Sequence, residues 1–389
     1  MTEIFERRAI ISGIGQSAIG RRLGRSGLDL TLEAVLVAIA DAGLDRKDID
    51  GLATGSGHAV APGASPVGTM ELKEALRLAV NWYSAASDSS QMSALINASM
   101  AVATGQARHA IVFRTVTESS ARIGPSTGSD QLRIDGPMQW RVPFNAPSAA
   151  NWVALMATRY FAEFGATREQ LAQIALNGRR NAILTPDAVY RAPLTMDEYL
   201  GSRMISSPLC LFDCDVPIDG AVALVVSHRD TARDIPNPAI HVEAICGPLY
   251  GRETWDQQAD LTRFAGRDAA QRLWSRTDLK PQDVDLVQLY DGFSFLALLW
   301  LEDMGFCGRG EAAAFVEGGS RIALDGDLPL NTSGGQLSFG RLHGMGLLHE
   351  ACIQLRNAGG LRQVPHSPRV ALVTNGGGPV ASAALLVRR

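Results

Sequence analysis

The chain has 389 residues, 46% of them hydrophobic and 20% charged, which is enough apolar surface for a sizeable core in two or three domain-sized units. A formal net charge of −4 and a pI near 6.0, with no dense Lys/Arg run, argue against nucleic acid as a partner. The opening MTEIFERRAIISGIG is acidic and basic before it turns apolar, and no apolar stretch approaches the roughly 18 residues of a membrane helix, so a cytoplasmic location without a membrane partner is expected.

AIISGIG, Ala9 to Gly15, reads as a buried strand, and Leu28 to Leu44 carries apolar residues at helical spacing. Gly13, Gly15 and Gly20 are spaced GxGxxxxG, which only approaches a dinucleotide fingerprint. Leu44 to Gly55 then shows Leu, three residues, Asp, a β-branched residue, Asp and an apolar run. The same pattern returns from Leu279 to Gly292, each copy preceded by a strand and a helix, here Ala239 to Gly247 and Leu261 to Trp274. Ser89 to Gly105 and Gly344 to Gly360 both read as helices ending in glycine, followed by strands from His109 and Arg369. Two similar halves of sheet and helix are therefore expected, with these two helices central. A proline-broken polar and aromatic insertion separates them. Thr167 and Gln170 form a capping-box start within it. The expected units are 1–117 with 207–235, the insertion 118–206, and 236–389.

The cysteines (Cys210, Cys214, Cys246, Cys307, Cys352) and the scattered histidines lack metal-ligand spacing, so reduced thiols and no metal are expected. In Asn331 to Glu350, five glycines and a basic pair precede an apolar helical run. Glycine at that density lets backbone N–H groups approach an acyl oxygen or a phosphate, although glycine turns of this kind also serve packing alone.

Arg203 to Ser227 with its PLxxxDCxxxxDGAxAxxxS string, NTSGGQLSFGRLHGMG and the terminal VTNGGGPVASAALLV resemble the thiolase superfamily. The likeness is to the branch holding the sterol-carrier-protein-x thiolases and lipid-transfer-type aldolases. It implies an α/β thiolase fold, two mixed-sheet halves in five α-β-α-β-α layers with an inserted helical loop domain. A thiolase needs a nucleophilic cysteine, an activating histidine and a second cysteine for the α-carbon proton. Here Asp88, in Ser87-Asp88-Ser89-Ser90-Gln91, stands at the first; Arg341, in Gly340-Arg341-Leu342-His343-Gly344, at the second; and Asn375, in Asn375-Gly376-Gly377-Gly378, at the third. The Asn-Glu-Ala-Phe turn becomes Tyr290-Asp291-Gly292-Phe293.

A fold kept without its thiols resembles the aldolases of steroid side-chain degradation, which carry Tyr-Asp at this turn and split a β-hydroxyacyl-CoA by retro-aldol cleavage. That reaction needs a base for the β-hydroxyl, donors for the enolate oxygen and an acid for the α-carbon. Tyr290 is the expected proton-transfer residue, with a cation such as Arg341 favouring phenolate and Asp291 orienting it or relaying its proton; the alternative is a strand-end tyrosine satisfied locally. Arg341 stands where those aldolases have a second tyrosine. It would hold an enolate, with His343 as proton donor, or salt-bridge Asp88 or Asp291. Backbone N–H groups at Gly334-Gly335 and Gly376-Gly377 are the expected thioester donors, beside Asp88 and Asn375. Trp140, Phe144, Trp152, Tyr160, Phe161 and Phe164 would wall an acyl pocket or belong to the core. The resemblance further implies an acyl-CoA substrate, no cofactor beyond that coenzyme A, a homodimer, and a small OB-fold zinc-ribbon partner. Two alternatives stay open: an acyltransferase using Ser87, Ser89 or Ser90, and a non-catalytic acyl-CoA or lipid-binding subunit.

Overall fold

The structure, a computed structural model, describes residues 4–55, 62–86, 92–121, 134 and 136–389. Ser87, Asp88, Ser89 and Ser90 lie outside the described residues. The N-terminal half runs β1 (Ala9–Gln16), α1 (Gly27–Asp41), β2 (Gly51–Gly55), β3 (Trp82–Ala86), α2 (Met92–Ala103) and β4 (His109–Thr117). Two helices of the insertion follow, α3 (Ala149–Phe164) and α4 (Arg168–Ile183), and then β5 (Asp219–His228). The C-terminal half runs β6 (Ile240–Cys246), α5 (Gly266–Trp274), β7 (Leu286–Gln288), α6 (Ser294–Asp303), α7 (Gly335–Ser338), α8 (Met345–Leu355), β8 (Val370–Gly377) and β9 (Val380–Arg388).

The strands form one nine-stranded sheet in the order β3-β2-β4-β5-β1-β6-β9-β8-β7. From β1 outward the directions are antiparallel, antiparallel, parallel, parallel. From β6 outward they repeat, and a bridge from Val287 to Leu330 stands in for the outermost strand. The halves join where β1 pairs antiparallel with β6, Ile10 opposite His241 and Ile11 opposite Ile240. The two mixed-sheet halves are thus hydrogen-bonded to one another through β1 and β6.

Side chains alternate along each strand and so sort into layers. In β5, Val222, Leu224 and Val226 pack in one core with α2 and α8, while Ala221, Ala223 and Val225 pack in another with α1. In β8, Ala371 and Val373 join the first core, whereas Leu372 faces α5 and α6 in a third. Helices α2 and α8 therefore lie between the two halves, and five layers result.

The repeated aspartates have matching work. Asp48 accepts from the Asp45 N–H at 2.8 Å and Asp283 from the Lys280 N–H at 2.8 Å, each closing a short 3-10 turn. Asp50 receives the N–H groups of Arg108 and His109, and Asp285 those of Arg369 and Val370, tying each turn to the start of the neighbouring strand. The capping box at Thr167 and Gln170 forms as expected. Helix α5 starts later than Leu261, because Asp260 takes the Thr262 N–H and hydroxyl into a turn.

The aromatic wall of the insertion does not assemble. Tyr160 is fully buried against Phe164 and Phe295 and donates to Glu302, so it is core. Trp152 donates to the Ala146 carbonyl beneath Arg141, while Trp140 and Phe144 are exposed.

Candidate active site

Glu118 follows β4 directly, and Asp219 of the DGA string fixes it. The Asp219 carboxylate receives the N–H groups of Ser119 and Ser120 at 3.1 and 3.0 Å and both hydroxyls. Burial opposes ionisation there, but those donors hold Asp219 below the usual carboxylate range.

The segment ahead of Asp219 stitches two loops together. Asp215 donates its N–H to the Gly292 carbonyl, Val216 to the Gln336 carbonyl, and Arg341 to the Val216 carbonyl at 2.8 Å. The Tyr290 turn and the glycine loop are thereby held on either side of one strand-like segment.

Two site residues, Arg341 and His343, converge on Glu118. Arg341 donates Nη2 to Glu118 and Nη1 to Asp215 at 2.9 Å. His343 faces Glu118 through Nε2 at 2.6 Å. A carboxylate accepts, so Nε2 carries the proton. His343 sits at φ 51°, a left-handed position that costs a non-glycine residue, and Asn375 pins its carbonyl through Nδ2 at 2.6 Å. Among the described residues Arg341 pairs with Glu118 and Asp215 and not with Asp291. Burial lowers Arg341 to about 10, which leaves it a cation at neutral pH.

Tyr290 is half-buried, with its ring folded back over Gly292 and its N–H given to Thr374 Oγ1. Burial and the nearby Asp215 and Asp291 push the phenol above its ordinary range, while Gln336 and Arg114 work in the other direction. The expectation that Arg341 favours phenolate is corrected: its charge is spent on two carboxylates, and the phenol keeps its proton. Asp291 is buried, with one oxygen receiving the Gln336 N–H at 2.9 Å. It caps the short α7 turn. Burial raises it to about 7.

The glycines named from sequence are mostly occupied with packing. Gly334 donates its N–H to Asn331 and lies against Ala182 and Gly178 of α4. Gly335 adjoins the Asp291 carboxylate so closely that a Cβ would overlap it. Gly376 and Gly377 end the β8–β9 ladder opposite Ala381 and Val380, and a Cβ on Gly377 would meet the Trp255 ring at 2.9 Å. Asp88 lies outside the described residues.

Sequence reasoning missed Glu118, Asp215 and Arg114. Arg114 was discoverable as a lone charge inside the apolar run HAIVFRTV. Asp215 also lines a cavity of about 600 Å³ that carries Arg21, Arg179 and Arg203 beside Phe212 and Leu337. Cys214 borders it too, and burial with Asp215 and Asp213 pushes its thiol up to about 12, far from a nucleophile's range. Among the described residues no helix is long and apolar enough to cross a membrane.

Residues 250–388 match the thiolase C-terminal domain-like family. The chain is 37% identical to a steroid side-chain-cleaving aldolase of Thermomonospora curvata over 97% of each chain. It is 35% identical to the 17-hydroxy-3-oxo-4-pregnene-20-carboxyl-CoA lyase of Mycobacterium tuberculosis over 90% of this chain and 92% of that one. Among solved structures, the Ltp2-ChsH2(DUF35) aldolase superposes with a TM-score of 0.89 at 32% identity over 99% of both chains.

Proposed function

The chain belongs to the thiolase superfamily, within its branch of steroid side-chain-cleaving aldolases, and from that membership we propose that it splits a bulky β-hydroxyacyl-CoA by retro-aldol cleavage. One observation of the site carries the reading: Gln336 links the two loops, facing the Tyr290 phenol while accepting from the Gly344 N–H next to His343, which is itself tied to the buried Glu118. An acid and a base are thus linked through one side chain in a site that lacks the thiolase thiols.

With Nε2–H given to Glu118, the basic atom of neutral His343 is Nδ1. His343 takes the β-hydroxyl proton. The oxygen's electrons form the ketone, the Cα–Cβ bond breaks, and its pair moves into the thioester enolate. Tyr290 then delivers its phenolic proton to the α-carbon, releasing a ketone and a shortened acyl-CoA. Arg341 and His343 share the Glu118 carboxylate, each through one of its oxygens. The thioester lies at the Asn375–Gly377 end of β8, against the Gly334-Gly335 turn. The arginines of the 600 Å³ cavity suit the phosphates of coenzyme A. No cofactor beyond that coenzyme A enters these steps.

Two assembly features belong to the same reading. A second copy pairs at the exposed edge of β3. A small OB-fold zinc-ribbon protein completes the acyl channel, as the ChsH2(DUF35) component accompanies the similar aldolase. The five free thiols suit a reducing cytoplasm.

The purified chain, with and without a DUF35-type partner, would be offered 17-hydroxy-3-oxo-4-pregnene-20-carboxyl-CoA and the products identified by mass. A C17 ketone with propionyl-CoA is expected, and Tyr290→Phe or His343→Ala should each lower kcat by about 100-fold or more. Binding of the acyl-CoA without turnover in either mixture would replace the lyase by a binding protein. An acyl group trapped on a serine would point to acyl transfer instead.

A further inference from the structure

Arg114 is fully buried in the middle of β4. Its neighbours Ala110, Val112 and Val116, at even positions of the strand, face the central layer between the two halves, and alternation turns Arg114 the same way. One end of its guanidinium is anchored: Nη1 donates to the Gly55 carbonyl at 2.6 Å and to Ser65 Oγ. The opposite edge, Nε and Nη2, has no hydrogen-bond partner among the described residues. A buried guanidinium with an unpaired edge is costly, and such donors in a polar site signal an anion that is absent at rest.

The surroundings say which anion. Arg114 lies close enough to Tyr290 and Arg341 for each to feel its charge. Arg341 is already paired with Glu118 and Asp215, whereas the neighbouring carboxyls of Asp215 and Asp291 work against a phenolate. Gln336 faces the phenol without a charge. Arg114 is the cation in that set.

We propose that Arg114 is a positioning residue that acts through Tyr290: the unpaired edge of its guanidinium receives the phenolate oxygen when Tyr290 gives up its proton. This rests on the retro-aldol reading above. In that step the phenolic O–H bond breaks, the proton goes to the α-carbon of the enolate, and the electron pair stays on the phenolate oxygen, where Nε–H and Nη2–H donate to it. The proton that His343 removed from the substrate hydroxyl restores the phenol, so the cycle closes without another reactant. A side chain with no accessible surface does not touch the substrate, so its effect falls on turnover and not on binding.

Arg114→Gln and Arg114→Lys would be compared with the wild-type chain and with Tyr290→Phe in the same assay. Arg114→Gln should lower kcat about 100-fold, with KM unchanged within about threefold. Proton delivery then limits turnover, so the solvent deuterium isotope effect on kcat should rise. Arg114→Lys, which keeps a charge but not the fork, should recover about tenfold of the loss. In a Tyr290→Phe background, Arg114→Gln should cost nothing further. Equal losses in the Gln and Lys variants with an unchanged isotope effect, or additive losses in the double variant, would overturn the proposal while leaving the aldolase intact. Full activity of Tyr290→Phe would instead remove the acid assignment on which it rests. Should Arg114→Gln fail to fold, the isotope effect and kcat of Arg114→Lys decide alone: wild-type values for both would overturn the proposal.

Discussion

A guanidinium that gives Nη1 to Asp215 and Nη2 to Glu118 fixes Arg341 against the same carboxylate that His343 faces. The loop residues Arg341 and His343 were legible in sequence because the glycine loop is local. Glu118 and Asp215 were not, because each sits on a different element and meets them only through the fold. Asp291 shows how environment reassigns a residue read correctly as part of the site. Its carboxyl caps α7, and burial raises it to about 7 from 3.8. The folded chain therefore binds that proton more tightly than the unfolded chain does. The stability this adds is full below about pH 4 and is lost as pH rises through about 7. Asp291→Asn carries no such proton. The stability of the wild type relative to Asp291→Asn should fall by up to about 1.4 kcal/mol per pH unit between those limits, then level off. Urea unfolding across that range measures it, and a flat difference would refute the account of a buried, protonated cap.

At the scale of elements, the repeat in the sequence was readable because its aspartates act within a few residues: Asp48 and Asp283 close turns, and Asp50 and Asp285 receive paired N–H groups from the next strand. The glycine loop was readable as a loop, but not as packing. Gly344 lies at φ 90° at the start of α8, and a Cβ there would overlap the Asn375 amide that pins the His343 carbonyl. Gly105 is the control, since it has φ 74° and open space where a Cβ would go. Gly105→Ala should cost about 1–2 kcal/mol, the price of a left-handed conformation alone. Gly344→Ala must also displace Asn375, so it should cost more and lower kcat about tenfold or further through His343. Denaturant unfolding and turnover of the two variants test this. Equal stabilities with normal turnover would mean that the Asn375 contact is not needed.

Across the whole molecule, the two halves repeat one another yet finish their sheets differently, which follows from where the insertion packs. At the C-terminal end the Leu330 segment covers β7, and α4 covers that in turn, with Asn177 and Asn181 donating to the Leu330 and Asn331 carbonyls. At the N-terminal end β3 is the last strand, and Tyr83 is 70% exposed on it. An open strand edge is a template for another chain, and a second copy meeting it about a twofold axis would set like residues against one another. The strand itself was not legible beforehand, since WYSAA is short and lacks the alternation of a half-buried strand. If the dimer forms there, Tyr83→Lys places a lysine from each copy in the seam, and like charges facing across strands repel. Sedimentation equilibrium should find the wild type dimeric at micromolar concentration and the Tyr83→Lys chain dissociating at least about tenfold more readily, a loss of ~1.4 kcal/mol. The unfolding midpoint of the variant at high protein concentration should move little, because the Tyr83 side chain is largely exposed. A variant that dimerises as tightly as its parent would place the assembly on another face, and a monomeric wild type would leave the β3 edge without its second copy.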